Sequence, residues 1–250
     1  MTLIHSILIA AFKGLTHLLC RIDDAQLAQV PNRGPLIVVT NHVNILEIPI
    51  IYTHLQPRPV TGLVSAHRWD NRWLRWLLNA CGAIPLRRGK ADIAALRRAM
   101  EMLKAGYIVV IAPEGTRSGH GRLQKAHPGV VLLALNSGAP MLPVAYYGSE
   151  HYRDNLRRLR RTDFHIVVGK PFYLDAGGIK VTRQVRREMI NEVMYQMSAL
   201  LPPAYRGVYS DLDAATEIYL AFQTDLTGVG IGQESICKSK LRGYSSDRWR

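Results

Sequence analysis

The chain has 250 residues, 48% hydrophobic and 20% charged, enough to bury a sizeable core in one domain and too apolar for wholesale disorder. Its 32 Lys+Arg against 19 Asp+Glu leave +13 at pH 7, which implies an anionic partner such as a lipid surface, nucleic acid, a phosphorylated substrate or an acidic carrier protein. The excess is concentrated: residues 51–100 hold nine basic and two acidic side chains, and 151–190 hold ten and four. Cys20, Cys81 and Cys237 are odd in number and far apart, so no disulfide framework or metal spacing is expected and a reducing compartment is the simplest reading.

The N-terminus, TLIHSILIAAFKGLTHLLC, lacks a basic leader, and Lys13 interrupts what would be the apolar region of a signal peptide. Wound as a helix, it gathers Thr2, His5, Ser6, Lys13, Thr16, His17 and Cys20 in one stripe, with Ile9 among them, and apolar residues cover most of the rest. The apolar side has two candidate partners, the protein's own core or a membrane interface, and the stretch is only marginally long enough to span a bilayer.

Further along, short apolar runs alternate with helical patterns. Strands are predicted at Leu36–Thr40, Val60–Ala66, Tyr107–Ala112, Met141–Tyr146 and Phe164–Val168. Helices are predicted around Ile48–Leu55, Asn71–Ala80, Ala91–Ala105, Val130–Asn136 and Val181–Leu200. The alternation predicts a single α/β domain with a largely parallel central sheet flanked by helices, whose ligands collect at the carboxyl ends of strands. The expected organisation is an N-terminal amphipathic, membrane-contacting helix over 1–25, the main domain over 26–210, and a partly disordered tail over 211–250.

Two motifs fall at such strand ends. In VVTNHVNILEIPI, His42 follows an apolar run and Glu47 stands five residues later. A carboxylate on one ring nitrogen leaves the other free to act as a general base. On a continuous helix the two side chains would diverge, so they meet only if His42 lies in the turn before the helix and Glu47 near its first turn, with Pro49 expected at the first helical position. Alone, the pair also fits a loop histidine beside a helix-start glutamate. In APEGTRSGHG, small residues can expose backbone N–H groups and Arg117 offers a planar fork to phosphate oxygens, although the spacing is not that of a nucleotide-binding P-loop. Two further stretches are less specific. AIPLRRGK runs a short apolar segment into Arg87, Arg88 and Lys90, and APMLPVAYYG has prolines that mark an edge strand or an entry.

Taken in order, Asn-His-x4-acid, Ile-Pro-Leu-Arg-Arg, Pro-Glu-Gly-Thr-Arg-Ser and Leu-Pro-Val-Ala resemble the glycerophospholipid acyltransferase family over roughly residues 30–205. The resemblance implies that His42 is the catalytic base and Glu47 its orienting acid. It implies that Arg87 lies near the glycerol phosphate acceptor, and that Glu114, Gly115, Thr116 and Arg117 grip the acceptor's hydroxyl and phosphate. Pro143 falls in the block linked to the acyl donor. The implied reaction moves a fatty acyl group from acyl-CoA or acyl-carrier protein to the free hydroxyl of 1-acylglycerol-3-phosphate or a related lysophospholipid, with no cofactor and no metal. Glu47 departs from the family's usual aspartate by one methylene, and His127-Pro128 stand where a lysine is common. Those departures keep open a different lipid acceptor or a catalytically silent lipid-binding relative.

A last stretch, RWDNRWLRWLL, brings Trp69, Trp73 and Trp76 to one helical side, beside Arg68, Arg72 and Arg75. This mixture suits a bilayer interface, and core packing of the tryptophans is the alternative. No zinc-finger or RRM signature supports nucleic acid as a partner. The expected location is therefore the cytoplasmic face of a membrane, peripheral or monotopic.

Overall fold

The computed structural model describes residues 3–87, 89 and 92–222, without the side chains of residues 3–6 and 8. The strands are β1 (Cys20–Asp23), β2 (Leu36–Thr40), β3 (Val60–Ser65), β4 (Ile84–Leu86), β5 (Ile108–Ile111), β6 (Met141–Tyr147), β7 (Thr162–Val168), β8 (Phe172–Leu174) and β9 (Leu220–Phe222). The helices are α1 (Leu3–Leu19), α2 (Glu47–His54), α3 (Arg72–Ala80), α4 (Ile93–Lys104), α5 (Gly129–Ser137), α6 (Tyr152–Arg157) and α7 (Arg183–Ala199).

One sheet runs in the order β1-β7-β6-β2-β5-β3-β4, with β8 pairing β6 and β9 pairing β8. From β6 to β4 every pairing on this path is parallel, as the alternation of strand and helix predicts. β7 is antiparallel to β6, and β1 runs parallel to β7.

In β2 all five residues of LIVVT are buried, Thr40 included, because both faces of the sheet are covered. Ile37 and Val39 pack with Leu103 of α4, Val131 of α5 and Met194 of α7. Leu36 and Val38 pack on the other side with Ile50 and Ile51 of α2. Side chains at the helix starts accept otherwise unpaired N–H groups: Asn71 from Leu74, Asp92 from Ala95 and Thr182 from Val185.

Some expectations change. The N-terminal helix stops at Leu19, and Cys20–Asp23 joins the sheet as its edge strand. Part of the polar stripe turns inward: Thr16 of α1 and Cys20, at the start of β1, are buried, while Ile7, Leu15 and Leu18 of α1 face outward, Leu18 at 70% exposure. The reading in which its apolar side covers the protein's own core fails for those three residues. Residues 211–222 of the expected tail are folded. Buried Glu192 of α7 accepts hydrogen bonds from Thr216 Oγ1 at 2.6 Å and from the backbone N–H groups of Ile218 and Tyr219, both at 2.9 Å, and β9 follows. The rest of that tail, with Cys237, lies outside the described residues. Strand β6 is interior, between β2 and β7, so Pro143 marks neither an edge nor an entry. Its ring instead lies where β7 ends: the carbonyl accepts from Gly169 N at 2.9 Å, and a Cβ on Gly169 would come within 2.7 Å of the Pro143 ring.

Candidate active site

Because β2 and β5 are parallel neighbours, the loops leaving their carboxyl ends rise on the same rim. Asn41, the first residue past β2, extends the ladder to β6 with its buried side chain. Its Nδ2 donates to the Tyr146 carbonyl and its Oδ1 accepts from Tyr146 N, both at 2.8 Å. That bridge determines where His42 leaves the sheet.

His42 Nδ1 lies 2.8 Å from Glu47 Oε2. The five-residue gap closes because His42 precedes a turn and Glu47 opens α2. Asn44 builds the turn: its Oδ1 accepts from Leu46 N at 2.8 Å, and its own N–H donates to both Glu47 oxygens at 2.9 and 3.1 Å. Ser149, past the end of β6, donates to Glu47 Oε1 at 3.4 Å and accepts from Asn44 Nδ2 at 2.7 Å through its carbonyl. Pro49 is the third residue of α2 instead of the first, still within the turn whose N–H groups lack helical acceptors. Burial pushes the Glu47 carboxyl above its usual range, while His42, the Asn44 N–H and Ser149 oppose that rise. The His42 side chain is 20% exposed, and its Nε2 bonds to no described residue. With glutamate in place of the aspartate expected from the resemblance, the pair meets at hydrogen-bond distance.

Glu114, past β5, is buried too, but it turns inward. Its Oε1 accepts from His42 N at 3.1 Å and its Oε2 from Gln124 N at 3.0 Å. Backbone bonds from Ser118 N to His42 O (2.8 Å) and from Gly119 N to Val43 O (3.0 Å) complete the junction. Burial pushes Glu114 up to about 7 against these donors, and the nearby Glu47 charge adds to the rise. Each oxygen accepts one backbone N–H, so this carboxylate ties the two loops together. Gly115 has φ +68°, and a Cβ there would come within 3.1 Å of the His127 ring.

The structure therefore brings His42, Glu47, Glu114 and the 115–119 loop together, with the side chains of Thr116 and Arg117 exposed on that loop. Arg87 is exposed past β4, where its N–H donates to Asp92 Oδ2 at 2.8 Å. Its neighbours Arg88 and Lys90 lie outside the described residues. Pro143 is buried within β6. Trp69 does not share a helix with Trp73 and Trp76: it sits in a 3₁₀ turn ahead of α3, and its Nε1 donates to Asn79 at 2.9 Å. Trp73 is 84% exposed and Trp76 half-exposed, which rules out core packing for both. Arg72 and Arg75 are exposed on the same helix, Arg75 Nε donating to the Trp69 carbonyl at 2.7 Å. Among the described residues no three His, Cys, Asp or Glu side chains gather as a metal site.

The acyltransferase family model matches residues 21–147, just over half of the chain, including His42, Glu47 and the 114–119 loop but not Ser149. The chain belongs to the acyltransferase family. The resemblance to glycerophospholipid acyltransferases carried by the four sequence motifs is borne out. Among curated acyltransferases, the chain is 28% identical over 165 residues to a chloroplastic 1-acyl-sn-glycerol-3-phosphate acyltransferase of Brassica napus, covering 61% of this chain and 45% of that one. It is 31% identical over 114 residues to a lyso-ornithine lipid O-acyltransferase of Pseudomonas aeruginosa, covering 45% of this chain and 43% of that one. The chain thus spans less than half the length of these relatives. The fold is similar to the crystal structure of the 1-acyl-sn-glycerophosphate acyltransferase of Thermotoga maritima, with a TM-score of 0.55, 22% identity and 76% of each chain covered.

Sequence reasoning overlooked Asn41 as a structural bridge, Asn44 and Ser149. Asn44, three residues before Glu47, carried a readable turn signal, whereas Ser149 carried none.

Proposed function

We propose that this acyltransferase-family chain moves a fatty acyl group from acyl-CoA or acyl-carrier protein to the free hydroxyl of a lysophospholipid, with 1-acylglycerol-3-phosphate as the first acceptor to test. The observation that carries this reading is His42, held at Nδ1 by buried Glu47 with Nε2 free at the rim. In this mechanism Nε2 takes the acceptor's hydroxyl proton as its oxygen attacks the thioester carbonyl carbon. The C–S bond then breaks, and the imidazolium returns the proton to the leaving thiolate. Glu47 orients the ring and stabilises the imidazolium. Arg117, with Arg87 further along the same rim, supplies charge for the acceptor's phosphate.

An acceptor that lives in a bilayer requires the rim to meet one. Exposed Trp73 and Trp76 beside Arg72 and Arg75, and the outward Ile7, Leu15 and Leu18 of α1, support peripheral contact at a cytoplasmic membrane face. Among the described residues no helix is long and apolar enough to cross a membrane.

Transfer of radiolabelled acyl chains to lysophosphatidic acid by the purified protein tests the proposal. Activity abolished in His42→Ala supports it. No transfer to any lysolipid, or a His42→Ala variant equal to wild type, overturns it. A second acceptor, a lysolipid bearing ornithine, is favoured by the 31% identity to the lyso-ornithine lipid enzyme. A kcat/KM comparison of the two acceptors separates them.

A further inference from the structure

The connection between β6 and β7 contains RRLRR at residues 157–161, part of the second basic segment of the sequence. Leu159 at its centre is 94% exposed and has φ +52°, the left-handed conformation that glycine or asparagine favours and a leucine resists. The backbone around it is well tied: Leu159 N donates to Leu156 O at 3.1 Å and Arg160 N to Asn155 O at 2.8 Å. A large apolar side chain is thus held in an unfavourable conformation and pointed into solvent, where it contributes nothing to the core. Leu156 is half-exposed beside it.

The charges around these leucines fall into two groups. Arg161 is committed to the fold, its Nη2 donating to the carbonyls of His17 and Cys20 at 2.7 and 2.6 Å and clamping the tip to the end of α1. Arg158 and Arg160 are exposed and have no side-chain partner among the described residues, and Arg157 keeps only an exposed pair with Asp154 at 3.3 Å.

Topology sets this tip on the rim that carries His42. β6 is parallel to β2 and runs into the tip, so both strands end on one side of the sheet. β1 is parallel to β7, so α1 enters from that side as well. Leu19 of α1, Leu46 beside Glu47, and Leu156 and Arg160 line one shared cleft. Leu15 and Leu18, on the helix that brings Leu19 to this cleft, are exposed.

We propose that the 156–160 tip docks on an anionic lipid surface, burying Leu156 and Leu159 among acyl chains and setting Arg157, Arg158 and Arg160 against phosphate headgroups. Interleaved leucine and arginine, on a tip tied by Arg161 to the end of a helix with exposed leucines, match a lipid interface in both charge and apolar character. An acidic protein would answer only the arginines. The inference rests on the membrane part of the proposed function, and its readout needs no turnover.

The experiment is flotation of the full chain with phosphatidylcholine vesicles, with and without phosphatidylglycerol. Leu159→Gly relieves the left-handed strain, so its Tm should not fall, yet its vesicle partition should drop about five- to tenfold. Arg158→Ala/Arg160→Ala should lose a similar factor on vesicles containing phosphatidylglycerol and nothing on phosphatidylcholine alone. Leu156→Ser supplies an independent apolar test, with a loss of about threefold or more. Wild-type partition in Leu159→Gly and the arginine pair overturns the proposal. So does unchanged partition combined with lost binding to acyl-carrier protein, which assigns the tip to an acidic protein. An inactive chain whose vesicle binding still falls with these substitutions sinks the acyl-transfer reading and leaves the tip standing.

Discussion

Glu47, at the start of α2, and Glu114, on the loop past β5, are both buried carboxylates beyond parallel strands, and burial pushes both upward in pKa. Both Glu47 oxygens accept from the Asn44 N–H and Oε2 also meets the His42 imidazole, whereas the Glu114 oxygens accept from the backbone N–H groups of His42 and Gln124. The first orients a side chain that can exchange protons, and the second holds the main chain that carries it. Burial and pKa direction therefore do not separate the two; the imidazole partner of Glu47 does.

The sharpest way to break this comparison is to remove the imidazole. His42→Ala should lower kcat by about 10³-fold or more while leaving Tm nearly unchanged, read by acyl transfer and thermal melting. Next comes Glu114→Gln, an uncharged form. The folded value of Glu114, about 7, lies above the ordinary 4.5, so its stabilising contribution is complete below pH 4.5 and is lost as pH rises through about 7. Wild type should therefore lose up to about 3 kcal/mol relative to Glu114→Gln across that window, measured by urea unfolding at each pH. A parallel pH response in both proteins would remove Glu114 as its source.

Glu47→Asp tests how far the rim is built for the longer acid. Withdrawing the carboxylate by one methylene from a 2.8 Å contact should cost about 10²-fold in kcat, even though aspartate is the family's usual residue. Equal or higher activity would mean that α2 shifts to follow the shorter side chain. The smallest effect is expected at Arg117, which is exposed and outside both carboxylate networks. Arg117→Ala should raise KM for a phosphate-bearing acceptor about tenfold with little change in kcat.

Much of the fold was legible because it is written in local pattern. The LIVVT run coincides with β2, and the strongest helical periods coincide with α4 and α7 within a few residues. What escaped was short or depended on distant partners. β4, β8 and β9 have three residues each, too few to display alternation. Helix α1 was readable as amphipathic, but its packing side depended on α2 and the sheet, and Thr16 turned inward. At the site, the His42–Glu47 geometry followed from the helix start. Ser149 and the Asn41 bridge could not, because both need β6 to arrive beside β2 from a hundred residues away. Glu114 was visible as a residue but not as a direction: nothing in EGTRS says that its oxygens turn back onto the neighbouring loop.

The tie through Glu114 has a consequence for how such a protein can change its diet. With the main chain of His42, Val43, Ser118, Gly119 and Gln124 linked directly or through Glu114, the spacing between the His42 ring and the 115–119 loop is insulated from most other side-chain replacements nearby. Under the proposed function, new lipid preferences can accumulate at outward positions such as Thr116 and Arg117 without disturbing the His42–Glu47 geometry, so innovation in headgroup choice is decoupled from retention of the chemistry.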